Sequence, residues 1–229
     1  MASKYPKITD VVNKFFEDSQ AEVEGRYQSW NYCYDHFQKL FKQSTLTDND
    51  KDHAALMLGF YLASWGMYRG SSFLLKNYTY TIHKYTVEYL FNKKKKKDFF
   101  KNQFIQENEK EKLFELYEEL EKHYKKLKQN ISKEINVSIS QTLITKILMG
   151  VCGIIPAYDR NVRRALAELG QSQTLNRKSY SQLLNFYHTN NKEIQSLSSN
   201  KKYPPMKILD IYLWKWGGQL LDAERKRNH

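Results

Sequence analysis

The sequence predicts an all-α protein, and three observations carry that expectation. Only four prolines and nine glycines interrupt 229 residues, so stretches of helical length run unbroken. Few segments alternate apolar and polar residues with the period of two that a half-buried strand needs. Apolar residues instead recur three and four positions apart through most of the chain, the spacing that lines one face of a helix.

Taken in order, the elements are as follows. Ile8 to Phe16 begins a first amphipathic helix, with Thr9 or Asp10 available as caps. Trp30, Tyr34, Phe37 and Phe41 line a second. Polar Asp48 to Asp52 opens the apolar helix Ala54 to Tyr68, and R-G-S-S at Arg69 to Ser72 breaks it. Phe73 to Phe91 is rich in Tyr and Thr, yet Tyr80, Lys84, Val87 and Phe91 share a helical face, so a helix is expected. Asn92 to Asp98, N-K-K-K-K-K-D, reads as a solvated loop or frayed helix end, or as a flexible phosphate contact. Phe99 to Ile131 predicts one long amphipathic helix, Ser138 to Met149 an apolar helix ended by Gly150 and Gly153, and Asp159 to Gly170 a shorter one. Tyr180 to Leu197 and Met206 to Leu221 complete the set, the last opened by Pro204-Pro205. The whole of 1–229 reads as a single domain, with 92–98 as the place where lobes 1–92 and 98–229 would meet.

Composition narrows the function. The chain carries 37 basic against 25 acidic residues, a formal net charge of +12. That excess favours a polyanionic partner, with nucleic acid ahead of an anionic membrane surface. Two cysteines, Cys33 and Cys152, cannot build a disulfide framework, a four-thiolate metal site or an iron–sulfur cluster. His36, His53, His83, His123 and His188 lack ligand spacing, so no metal is expected. The apolar run Ala54 to Met67 is short for a membrane span, and M-A-S-K-Y-P lacks a secretory apolar region. The expectation is a soluble, cytoplasmic monomer without cofactor.

One acid stands out. In G-I-I-P-A-Y-D-R-N-V-R-R-A-L, Gly153 to Leu166, Asp159 follows Pro156-Ala157-Tyr158 and precedes Arg160, Arg163 and Arg164. As a plain N-cap, its carboxylate would accept bonds from the free amides of the next turn. It could equally serve as a catalytic carboxylate, and the residues alone leave both roles open.

An apolar helix, a short Gly- and Pro-containing connection, and Ile155, Pro156, Asp159, Val162 and Arg163 or Arg164 opening a second helix resemble the helix-hairpin-helix DNA glycosylase superfamily. L-A-S-W-G-M-Y-R-G-S-S-F-L-L, Leu62 to Leu75, and P-M-K-I-L-D-I-Y-L-W, Pro205 to Trp214, resemble a bacterial subgroup described as 8-oxoguanine-DNA-glycosylase-like. The resemblance implies a helix-hairpin-helix glycosylase-like fold, double-stranded DNA as partner, and Asp159 as catalytic carboxylate. It implies Tyr61, Trp65, Tyr68, Arg69 and Tyr158 as candidates for gripping a flipped base. Arg160, Arg163 and Arg164 would contact phosphates.

Two departures qualify it. The glycine-rich hairpin of the family is replaced by E-I-N-V-S-I-S-Q-T, Glu134 to Thr142. The anchor would then rest on Ser138, Ser140 and Gln141. The position of the nucleophilic lysine of bifunctional members falls on Gln141 or Ser140. Lys146, one turn after Thr142, reads as a helix-edge lysine that could serve as nucleophile only in a shifted geometry, and Asp210 as a cap or ion-pair partner. A monofunctional, water-using glycosylase acting on a damaged or modified base is therefore expected. A catalytically inert basic binding protein, or a helical interaction module of a stress or phage-defence system, remains open beside it.

Overall fold

The computed structural model describes residues 5–20, 25–70, 72–96, 106–131 and 138–227. Among them the protein is all-α, with eleven α-helices, two 3-10 segments and no strand. No helix among them is long and apolar enough to cross a membrane. The helices are α1 (Ile8–Gln20), α2 (Gln28–Leu40), α3 (Asp48–Ser64), α4 (Phe73–Asn77), α5 (Lys84–Lys95), α6 (Lys110–Ile131), α7 (Gln141–Cys152), α8 (Arg160–Glu168), α9 (Arg177–Thr189), α10 (Asn191–Lys201) and α11 (Pro205–Arg227).

Helix ends follow local chemistry. Thr47 and Asp50 start α3 with a reciprocal capping box: the Asp50 amide donates to Thr47 Oγ1 at 3.1 Å, and the Thr47 amide to Asp50 Oδ2 at 3.2 Å. The helix stops earlier than Tyr68. Gly66, at φ +75°, takes the left-handed position that suits glycine, and the Met67 amide returns to the Leu62 carbonyl at 2.8 Å. Gly150 does not end α7, which runs on to Cys152. It is a close-approach residue instead, because a Cβ there would collide with the ring of Tyr61.

Two expected helices are divided. Phe73 to Phe91 splits into α4, a 3-10 turn at Tyr80–His83, and α5. Tyr78 is extended, the Thr79 hydroxyl accepts from the Thr81 amide to begin the new segment, and the Tyr80 Cβ sits 2.9 Å from where a Cβ on Gly59 would lie. Tyr180 to Leu197 breaks at Asn190, whose φ of −107° and ψ of 16° leave the helical region. Its side-chain amide donates to the Phe186 carbonyl at 2.8 Å, closing α9. The start expected for the long helix at Phe99 lies outside the described residues, and α6 begins at Lys110.

The chain forms two compact units. The first holds Met1–Val23, Ile105–Lys110 and Gly153–His229; the second holds Glu24–Phe104 and Glu111–Cys152. This differs from a division at 92–98, because the N-terminal helix belongs with the C-terminal ones. The Thr9 hydroxyl and amide both donate to Glu193 Oε1 at 2.6 Å, and Lys215 pairs with Asp18 at 2.7 Å. In the first unit α11 is the axis, with α8, α1 and α10 packed on it. In the second, α3 packs against α2, α5 and α7. Of the lysine run, Lys93 pairs with Glu115 and Lys95 donates to the Gln43 carbonyl. Lys97 and Asp98 lie outside the described residues.

Candidate functional site

In the first unit, the segment before α8 places Asp159 at its N-cap, half-buried and extended at φ −86° and ψ −177°. Asp159 Oδ1 accepts from the Asn161 and Val162 amides, each at 3.1 Å. These are two of the orphan donors that every helix start presents. The loop itself is fixed from α11. Asp210, 6% exposed, accepts from the Ala157 amide at 2.8 Å through Oδ1 and pairs with buried Lys207 at 2.9 Å through Oδ2. This is the ion-pair role expected of Asp210, with a second duty of holding the Pro156–Tyr158 turn. Gly217 lets α8 approach α11, since a Cβ there would overlap the Asn161 carbonyl oxygen.

The three arginines separate. Arg160 is exposed and forms no ion pair among the described residues. Arg163 lies close enough to Tyr158 for its charge to act on that hydroxyl, and its Nε is buried without a hydrogen bond among the described residues. Arg164 is committed: it bonds Glu224 at 2.6 Å and Glu168 at 3.0 Å, and the Glu224 bond first of all holds it charged. Arg164 is therefore a structural arginine, not a ready phosphate contact. Tyr158 is 1% exposed, a core residue instead of a wall for a flipped base.

The second unit holds the remaining candidates. Tyr61, 2% exposed, is also core, packed where α7 offers Gly150. Trp65 is half-buried, with Tyr27 at 6.0 Å, the Arg26 guanidinium at 5.2 Å and the Lys146 ammonium at 5.0 Å from its ring centre. Lys146 is thus no helix-edge residue. It is 3% exposed within α7 and faces an aromatic ring, an arrangement favourable to a desolvated cation. The Tyr68 hydroxyl is 2.8 Å from His83 Nε2, His83 Nδ1 is 2.6 Å from the Tyr124 hydroxyl, and that hydroxyl is 2.9 Å from Thr86 Oγ1. Burial pushes His83 down to about 3 and Tyr68 up to about 12, so the chain is neutral.

Arg69, Ser138 and Ser140 do come together. They line a cavity of 430 Å³ with Met67, Phe73, Leu74, Lys128, Ile139 and Leu143 among its walls. Gln141 is half-buried at the first turn of α7. The rest of the expected anchor, 134–137, lies outside the described residues.

No protein-family model, curated protein or solved structure matches the chain. The site is therefore judged on its own geometry. No group of three or more His, Cys, Asp or Glu residues among those described is placed to hold a metal. Sequence reasoning left out Lys207, Gly217 and Lys128, and considered His83 only as a metal ligand. A signal for the first existed, since K-I-L-D inside an apolar helix spaces Lys207 and Asp210 at i and i+3.

Proposed function

We propose that this protein is a helix-hairpin-helix DNA glycosylase-like enzyme that hydrolyses the N-glycosidic bond of a damaged or modified base. The observation that carries the reading is Asp159: a half-exposed carboxylate on a loop held by Asp210, with Arg160 and Arg163 on the turn behind it. In the reaction the bond from C1′ to the base nitrogen breaks and its electron pair leaves with the base. The sugar gains positive charge as this happens. A carboxylate beside C1′ stabilises that charge more in the transition state than in the ground state, which raises rate. Water, oriented by Asp159, then bonds C1′ and gives its proton to that carboxylate, while the departed base takes a proton from solvent. Arg160 and Arg163 supply cations for flanking phosphates, as a chain of net charge +12 would.

A second reading has its own observation. Two amide bonds to Oδ1 already account for an acid at this position, as in an inert basic DNA-binding protein. Asp159→Asn separates the two. Asparagine also caps helices, so stability should change by about 1 kcal/mol or less. Excision from DNA carrying oxidised, alkylated, deaminated or glucosylated bases should fall about 100-fold or more. The product should be an abasic site without strand cleavage, and borohydride should trap no covalent adduct. A wild-type protein that excises nothing, or an Asn variant as active as wild type, sinks the catalytic role.

A further inference from the structure

We propose that the cavity beside α7 in the second unit binds a nucleoside monophosphate unit, with its phosphate at Arg69 and Lys128 and its base against Phe73 and Met67. The grounds are independent of Asp159, since every lining residue belongs to the unit that lacks it.

Charge is the first ground. Two cations line the cavity and no carboxylate does, among the described residues. Arg69 is exposed and has neither an ion pair nor a side-chain hydrogen bond among those residues. Its side chain folds back over Gly66, with Cδ 3.4 Å and Nε 3.5 Å from where a Cβ would stand. Glycine at φ +75° thus both makes the turn and leaves room for the arginine. Lys128 donates to the Ser138 carbonyl at 3.1 Å, a neutral acceptor, and forms no ion pair among the described residues, which leaves two N–H groups for a ligand. A guanidinium and an ammonium facing one space suit a phosphate, the fork by paired bonds and the lysine as a point charge.

Shape and polarity are the second ground. At 430 Å³ the cavity falls in the range of small-ligand sites. Bare phosphate would leave its apolar wall unused. That wall combines an aromatic ring, Phe73, with the thioether of Met67 and the aliphatic Ile139 and Leu143. Flat aromatic rings pack well against such a surface. Ser138 and Ser140, both exposed and lining the cavity, carry O–H groups for sugar or base edges, the Ser140 oxygen also accepting from the Leu143 amide at 3.3 Å. The shared chemistry is one nucleotide, taken either free or from a DNA strand.

Calorimetric titration of the full chain tests this with 2′-deoxyadenosine 5′-monophosphate, deoxyadenosine, inorganic phosphate and a short single-stranded DNA. The monophosphate should bind at least about tenfold more tightly than nucleoside or phosphate, because only it uses both walls. Arg69→Gln should weaken it about tenfold or more, through loss of a charge-assisted bond. Ser138→Trp, which obstructs the cavity and keeps the cations, should weaken it as much. Arg227→Gln, on the other unit, should leave it unchanged, and thermal melting should show all three variants folded. Monophosphate displaced by the DNA strand identifies a strand-binding subsite; monophosphate unaffected by it identifies a free-nucleotide site. The proposal is overturned if the monophosphate and the strand both fail to bind, if phosphate alone binds as tightly, or if neither Arg69→Gln nor Ser138→Trp changes the affinity.

Discussion

The two units put their buried polar groups to different uses. In the first, an ion pair sits in the interior: Lys207 and Asp210, both with side chains 9% exposed, lie one turn apart on α11. In the second, the buried polar groups include the Lys146 ammonium over the Trp65 ring and the neutral chain Tyr68–His83–Tyr124–Thr86. A buried charge pair is costly to desolvate and is weak evidence of stability by itself. What distinguishes this pair is its third partner, the Ala157 amide. The ion pair fixes the segment that carries Asp159, while the neutral chain joins the turn after α3, the 3-10 segment, α5 and α6 without carrying charge. The ion pair of the first unit holds a loop, and the hydrogen-bonded chain of the second ties four segments together.

The largest expected effect tests how tightly α8 must sit on α11. Gly217→Val inserts a Cβ and two methyls where the Asn161 backbone already lies. No rotamer relieves a clash at Cβ, so the loss should be about 4 kcal/mol or more. Chemical denaturation measures it. A loss under about 1 kcal/mol would mean that the glycine is not needed for the approach.

Next comes the ion pair. Asp210→Ala leaves the Lys207 charge buried and the Ala157 amide without its acceptor, and should cost about 3–5 kcal/mol. Replacing both members, Lys207→Met with Asp210→Leu, should recover most of that stability. It should not restore the hold on the 156–158 turn. Faster hydrogen exchange at Ala157 in the double variant, in a protein as stable as wild type, would separate positioning from stability. Protection equal to wild type would remove the positioning role.

The neutral chain makes a pH prediction. His83 titrates near 6.5 when unfolded and about 3 when folded, so between those values the unfolded chain binds the extra proton. Its contribution is fully present above about pH 6.5 and is lost as pH falls. The slope reaches about 1.4 kcal/mol per pH unit once the unfolded histidine is protonated. Burial moves His36 and His123 the same way, so wild type should lose about 2 kcal/mol or more between pH 6.5 and about pH 5. His83→Gln should be less stable at neutral pH but visibly flatter across that window. A slope unchanged by the substitution would assign the acid sensitivity elsewhere.

How much of this was legible in the sequence depends on how local its cause is. Helical faces and Asp159 at a helix start were legible, because they follow from spacing within a few residues. The pairing of Asp210 was legible for the same reason, with Lys207 three positions before it. The breaks at Tyr78 and Asn190 were not, since neither is Gly or Pro and they depend on the local side-chain bonds of Thr79 and Asn190 to backbone. Lys146 was misread because its partner, Trp65, is far away in sequence. Tyr61 and Tyr158 were plausible pocket walls by residue type alone, and only burial identifies them as core. His83 lay in a Tyr- and Thr-rich stretch whose meaning required α6 to be in place.

The smallest effect concerns the arginines, which looked equivalent in sequence. Arg164→Ala removes a pair with Glu224 and Glu168 that is partly open to solvent, with side-chain exposures of 24%, 41% and 38%. It should cost about 1 kcal/mol or less. Because its charge is already spent on two carboxylates, it should add little to DNA binding. Arg160 has no such commitment among the described residues. If it contacts a phosphate, Arg160→Ala should lower the slope of log affinity against log salt by about 0.9, one counterion's worth. Arg163→Ala should do the same with a folded protein, as its Nε has no hydrogen bond to lose among the described residues. Binding to undamaged duplex across a salt series reads all three. Equal slopes for all variants and wild type would remove α8 from the proposed contact with DNA. A slope lowered only by Arg164→Ala would mean that the glutamates release it when DNA arrives.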